Sequence, residues 1–207
     1  MACAPHYEYL APSRYGRDAY VADEQHNRYL NAVHYTDRFV ENLFAQYEAL
    51  GLAENTIFVI VGDHGEGFGE HVPRQHNAVP YEEVLRVPLL LHLPGEWPSG
   101  RIADGLRSQL DITPTLTALI ESDLPDGSVQ GQSLLGPPHD RLYTSCLYTH
   151  TCGAVHTQDR KFIHHFGDRP DEFFELSSDP TESSSLDEPE RVLQLRDDFL
   201  QWYAHGL

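Results

Sequence analysis

The stretch T-I-F-V-I-V-G-D-H-G-E-G-F-G-E-H, Thr56 to His71, decides the fold of this chain. Residues 56–61 are β-branched or apolar throughout, the pattern of an interior parallel strand buried on both faces. They run straight into Gly62, Asp63, His64 and Gly65. Along a strand, neighbouring side chains point to opposite faces, so an adjacent Asp and His could not share a ligand. Once the strand stops and glycine lets the backbone turn, they can. A carboxylate oxygen and a neutral imidazole nitrogen then form a mixed donor pair for a divalent ion. In open α/β sheets, ligands gather at such strand ends. The plain alternative is that Asp63 caps a turn and His64 lies on the surface, and the dipeptide alone leaves both open.

Working outward, residues 22–50 carry Leu30, Val33, Val40, Phe44 and Tyr47 at helical spacing, with Gly51 placed to end the helix. Asp37 falls on that stripe and is expected to be a buried acid with a local partner. After the glycine-rich stretch, residues 81–86 suggest a short helical turn and V-P-L-L-L-H-L, 87–93, a second buried strand. S-Q-L-D-I-T-P-T-L-T-A-L-I, 108–120, starts with an acid and a proline near a helix N-terminus. Helix, strand, loop, strand and helix in this order imply an α/β layered sheet. A turn-rich connector occupies 124–138. Beyond it, 141–148, 154–166 and 172–176 resemble antiparallel strands, and 189–205 a closing amphipathic helix. Two regions follow: 1–138, the larger α/β part, and 139–207, a small antiparallel α+β subdomain.

At 207 residues there is room for one domain, or one with an appendage. A net charge of −18 argues against nucleic acid as a partner, because nothing would neutralise phosphates. It leaves an anionic substrate open, since a metal and local histidines can reverse the field inside one pocket. Thirteen histidines against fourteen Lys plus Arg favour sites that bind metal or titrate. Cys3, Cys146 and Cys152 are an odd number at no zinc spacing, which supports neither a disulfide framework nor a zinc knuckle. No apolar run reaches membrane length, and M-A-C-A-P-H-Y-E-Y has no secretory pattern.

The motifs in order resemble the sulfatase family within the alkaline-phosphatase superfamily. The likeness begins at Y-L-N-A-V-H-Y-T-D-R-F-V-E-N-L and runs through G-L-A-E-N-T-I-F-V-I-V-G-D-H-G-E-G-F-G-E-H. It continues in Q-H-N-A-V-P-Y-E-E-V-L-R-V-P-L-L-L-H-L-P-G, S-Q-L-D-I-T-P-T-L, G-Q-S-L-L, R-K-F-I and E-F-F-E-L-S-S-D-P-T-E. The resemblance implies part of a layered helix–sheet–helix, alkaline-phosphatase-like α/β fold, followed by a small antiparallel sheet with a C-terminal helix. It implies metal-dependent hydrolysis of sulfate esters, with phosphoryl and phosphonate esters as the alternative. In the family, an Asp-His or Asp-Asn pair after this strand holds one divalent ion, a role carried onto Asp63 and His64. Calcium is the first expectation, with manganese or zinc as alternatives. His76 matches the basic side chain that contacts the sulfate, and His6 the histidine beside the leaving-group oxygen. His71 is expected to orient the loop, Glu66 and Glu70 to stay near the rim, and Glu82 and Glu83 to support the next helix.

The family's nucleophile stands in Cys/Ser-x-Pro-x-Arg, whose first residue becomes formylglycine in sulfatases. Here Cys3-Ala4-Pro5 continues without arginine, and Leu10-Ala11-Pro12-Ser13-Arg14 begins with leucine, which cannot attack anything. The nucleophile and the family's first aspartate pair are therefore expected upstream, outside this chain. The implied partners are an anionic sulfate- or phosphate-ester substrate and the missing N-terminal half of the same fold. The chain alone is expected to be inactive, and a noncatalytic binding remnant is the alternative from a different class. Location is open; family analogy suggests periplasmic, extracellular or membrane-tethered.

Overall fold

The computed structural model describes residues 4–6, 8–15, 17–71, 76, 79–95, 104–122, 129–146, 151–167 and 169–205. Cys3, residues 124–128 of the expected connector and residues 147–148 of the first expected antiparallel strand lie outside them. The chain divides into two compact units, Met1–Gln75 with Val87–Ser99, and His76–Arg86 with Gly100–Leu207.

In the first unit, helix α1 spans Glu24–Ala49. Asp23 caps its start by accepting the His26 N–H at 2.8 Å. Gly51, at φ 68, ends it. The Gly51 N–H donates to the Glu48 carbonyl and the Leu52 N–H to the Tyr47 carbonyl, both at 2.9 Å, the paired bonds of a Schellman stop. Phe44 and Tyr47 pack on Phe58 with ring centroids 4.3 and 5.0 Å apart. Asn31 and Ala32 are the buried residues of the helix. Val33 is 40% exposed and Asp37 lies in solvent, which corrects the expected stripe and its buried acid. Both stand one residue, about 100° of rotation, past the face that carries Ala32 and Thr36.

Strands β1, Phe58–Val61, and β2, Leu89–His92, form a two-stranded sheet. They pair antiparallel, Phe58 opposite His92 and Val61 opposite Leu89. The expected parallel, doubly buried strand is corrected on both counts, since Val61 is 38% and Leu90 58% exposed. An apolar run speaks for burial and is silent on strand direction.

In the second unit, the turn α2, Glu82–Leu85, and helix α3, Ile112–Leu119, precede a four-stranded antiparallel meander. Its strands are β3, Leu142–Ser145; β4, Cys152–His156; β5, Arg160–His165; and β6, Glu172–Glu175. The single strand expected over 154–166 is the β4–β5 hairpin, broken where polar Thr157, Gln158 and Asp159 turn the chain and the Thr157 N–H meets the Arg160 carbonyl at 2.8 Å. Strand alternation sorts the core into two faces. Val155, Phe162 and Phe173 pack with Leu195 and Phe199 of helix α4, Pro189–His205. Ala154, Ile163 and Phe174 pack with Val79, Tyr81, Cys146 and Cys152. Cys146 and Cys152 form a disulfide with Cα atoms 5.2 Å apart, where the odd cysteine count supported no disulfide framework; counting three thiols says nothing about which two become neighbours across a ladder. Ahead of α3, fully buried Asp111 accepts the Ser108 and Gln132 N–H groups at 2.8 and 2.9 Å and pairs with His139 at 2.7 Å.

Two measurements check this packing. A Cβ on Gly153 would overlap the Phe199 ring and come within 2.8 Å of the Thr144 carbonyl oxygen, so Gly153→Ala should cost about 1–3 kcal/mol in urea unfolding, with Phe199→Leu in the same chain restoring part of it. His156 is 6% exposed, and burial, then the Lys161 ammonium, push its imidazole from 6.5 down to about 3. The unfolded chain therefore takes up a proton that the folded chain refuses, so this contribution is complete above the ordinary histidine range and lost progressively as pH falls from there toward about 3. Between pH 7 and pH 5 the parent should lose on the order of 2 kcal/mol more than His156→Leu; equal losses would contradict the buried neutral imidazole.

Candidate functional site

Strand β1 ends at Gly62, whose N–H donates to the Pro88 carbonyl at 3.1 Å. A Cβ there would stand 3.1 Å from Val87 Cβ, so a side chain would press on the entry to β2. The chain turns away and leaves Asp63 and His64 both exposed. Asp63 Oδ1 accepts the His64 N–H at 3.2 Å. His64 Nδ1 lies 2.8 Å from the Gly65 carbonyl oxygen. A carbonyl only accepts, so Nδ1 carries a proton in this contact, and Nε2 is the ring nitrogen on the side away from it.

The loop beyond is pinned by aromatic packing. Phe68 lies against His26, stacked at 4.2 Å, against Tyr29 at 5.1 Å and against Tyr9 at 6.0 Å. Tyr9 is 5% exposed and its hydroxyl donates to Glu66 Oε2 at 3.0 Å. Glu66, expected near the rim, is thus turned into a hydrogen bond with a buried phenol; Glu70 is exposed and accepts the Phe68 N–H at 2.6 Å. The Tyr9 N–H donates to the His6 carbonyl at 2.8 Å, which fastens the exposed His6 to the same corner. Glu8 and Tyr9 both take left-handed backbone, at φ 75 and φ 48, a conformation that L residues hold only when their surroundings demand it. Burial, then Glu66 and Asp63, raise the Tyr29 phenol, which puts α1 in the field of both carboxylates.

The first unit therefore brings the His6 segment, Asp63 and His64 into one neighbourhood. Half-buried His71 stands at the end of its loop. His76, also half-buried, belongs to the second unit. There, Glu82 and Glu83 open α2 as expected. Tyr9, Tyr29 and Phe68 escaped the sequence because they meet only through the fold; Tyr9 and Glu66 are 57 residues apart.

A carboxylate oxygen from Asp63 and an imidazole nitrogen from His64 are donor types that fit one divalent ion. Among the described residues, no group of three or more His, Cys, Asp or Glu side chains is spaced to hold a metal.

Comparison with known proteins follows the same residues. The chain matches the profile described as Sulfatase over residues 2–122, and that described as N-sulphoglucosamine sulphohydrolase, C-terminal, over residues 69–202. It is similar to an arylsulfatase of Clostridium perfringens, 28% identical over an alignment of 169 residues, with 76% of this chain and 35% of that protein covered. A solved structure described as in complex with its substrate D-glucosamine-2-N,6-O-disulfate matches with TM-score 0.69 and 24% identity, over 88% of this chain and 40% of that one. The phosphonate monoester hydrolase of Silicibacter pomeroyi matches with TM-score 0.69 and 17% identity, over 98% and 46%. At these identities the two structures speak for the fold alone, an alkaline-phosphatase-like α/β fold. The chain spans less than half the length of each of these three relatives. With the Asp63–His64 turn inside the first matched span, and His76 and the four-stranded sheet inside the second, the chain belongs to the sulfatase family.

Proposed function

We propose that this chain carries part of the active site of a metal-dependent sulfate-ester hydrolase. The observation that carries this reading is the exposed Asp63–His64 pair at the end of β1, its imidazole held through Nδ1 by the Gly65 carbonyl. Asp63 and His64 would hold one divalent ion, calcium or else manganese or zinc. Such an ion, when bound, stabilises the charge that grows on a sulfuryl oxygen and on the attacking group. His76 would contact the sulfate through a ring N–H. His6, fastened beside the loop through Tyr9 and Glu66, would hand a proton to the departing oxygen, a transfer that typically contributes about 10²–10⁴ in rate.

The nucleophile, a formylglycine by family resemblance, and further metal ligands would come from a segment preceding this one. Two donors make a weak site, so the chain by itself would bind metal poorly and not turn over. Residues 1–138 would then complete the larger α/β domain, and 139–207 form its small C-terminal subdomain. A phosphoryl or phosphonate ester is the second reading. It is favoured by an imidazole ligand that suits manganese or zinc better than calcium.

The experiment joins the chain to its natural upstream segment and measures bound metal with aryl-sulfate and aryl-phosphate release. Asp63→Ala and His64→Ala should lose the metal. His76→Ala and His6→Ala should keep it and turn over roughly a hundredfold more slowly or worse. A higher rate on phosphate would select the second reading. Parental activity in all four variants would remove the mechanism.

A further inference from the structure

The segment that carries His76 is held by contacts for which the proposed chemistry has no use. Within the second unit, Val79 and Tyr81 are 4% and 3% exposed. They fill the face of the meander made by Ala154, Ile163, Phe174 and the Cys146–Cys152 bridge. The Tyr81 hydroxyl lies 2.9 Å from both carboxylate oxygens of Glu172 on β6. His165 Nε2 reaches Glu172 Oε2 at 2.8 Å from β5, so the acceptor is itself held in place. One residue on, the Glu82 N–H donates to Glu182 Oε2 at 2.6 Å. Fully buried Lys161 extends from β5 to Glu182 Oε1 at 2.6 Å and to Glu82 Oε1 at 3.2 Å. Glu182 adopts a left-handed backbone, φ 53, in making these contacts.

This arrangement is costly as a source of stability. A fully buried ammonium–carboxylate pair such as Lys161 with Glu182 is often replaced by apolar side chains without loss. Burial pushes the Glu182 carboxyl up, against the pull of the Lys161 ammonium, so either charge alone would be poorly accommodated. The α4 face already gives the sheet an apolar core. What a directional cluster adds is register. One of its acids sits on the segment, at Glu82, and the other on the turn after β6, at Glu182, with the cation on the sheet between them.

We propose that Lys161 and Tyr81 are positioning residues for His76, and that the small C-terminal sheet is the platform that sets the sulfate-contacting imidazole. The inference rests on the role given to His76 above. The sheet fixes Val79, Tyr81 and Glu82 in one register, and His76 stands a few residues ahead of that anchor in the same compact unit. Slippage of the anchor would move the imidazole while leaving Asp63 and His64, which belong to the other unit, as they are.

The test uses two variants. Tyr81→Phe keeps the ring in the core and removes only the hydroxyl. Lys161→Met with Glu182→Gln removes both buried charges together, so that neither is left unpaired. The first readout is the NMR spectrum of the 207-residue chain with labelled histidine rings. Both variants should keep the amide spectrum of the sheet and α4 and displace or broaden the His76 ring signals. The second is kinetics of the chain joined to its upstream segment. There kcat should fall roughly ten- to a hundredfold with KM and bound metal unchanged. His76 signals that superimpose on the parent's in both variants, with parental kcat in Tyr81→Phe while His76→Ala is slow, would overturn the positioning role and leave the reading of His76 standing. Normal turnover by His76→Ala would remove that reading and this inference with it.

Discussion

One backbone hydrogen bond, from the Gly62 N–H to the Pro88 carbonyl at 3.1 Å, sets where β1 stops. Up to that point the ladder with β2 dictates side-chain direction, and alternate residues must face opposite ways. Beyond it the backbone is free to turn, and Asp63 and His64 leave the sheet together. The missing Cβ at Gly62 is part of the same constraint, because a side chain would press on Val87. A candidate ligand pair thus follows from the end of a strand. The Gly65 carbonyl then fixes the ring by accepting from His64 Nδ1. The remainder of the first unit holds that turn still: Phe68 anchors the loop among Tyr9, His26 and Tyr29, and Tyr9 ties in the segment of His6.

The second unit solves a different problem. Its sheet is covered on one face by α4 and on the other by residues that precede the sheet in sequence by more than sixty positions, Val79 and Tyr81. Apolar burial there would suffice for cohesion. The cluster of Lys161, Glu82 and Glu182 adds directional bonds, which single out one register where apolar packing alone would tolerate several. That division, greasy packing on the α4 side and directional bonds on the side of the His76 segment, is what gives the C-terminal sheet a part in the chemistry proposed for this chain.

Local physics made much of this legible from the residues. Helix α1 ends at Gly51 because only glycine takes the left-handed turn without cost, and residues 108–120 begin where the Ser108 hydroxyl accepts the Leu110 N–H and Asp111 accepts the Ser108 N–H. The strand end at Gly62-Asp63-His64 was visible for the same reason, since strand and turn propensities change within two residues. What stayed hidden depends on distant partners. The direction of β1 follows from its neighbour β2, and apolar residues do not encode it. Asp37 sits one helical step off the buried face, a difference that spacing alone blurs. In R-K-F-I, Lys161 looks like a solvated charge until Glu82 and Glu182 close over it. The Cys146–Cys152 bridge needed the β3–β4 pairing to bring two of three thiols together.

The proposed chemistry depends on a cation held where β1 ends. A crystal of this chain joined to its upstream segment and soaked in manganese would test it most directly through the anomalous signal. The predicted peak lies about 2.0–2.6 Å from an Asp63 carboxylate oxygen and from His64 Nε2, with the bond from His64 Nδ1 to Gly65 intact. An ion bound elsewhere, with Asp63 and His64 turned away from it, would contradict the account.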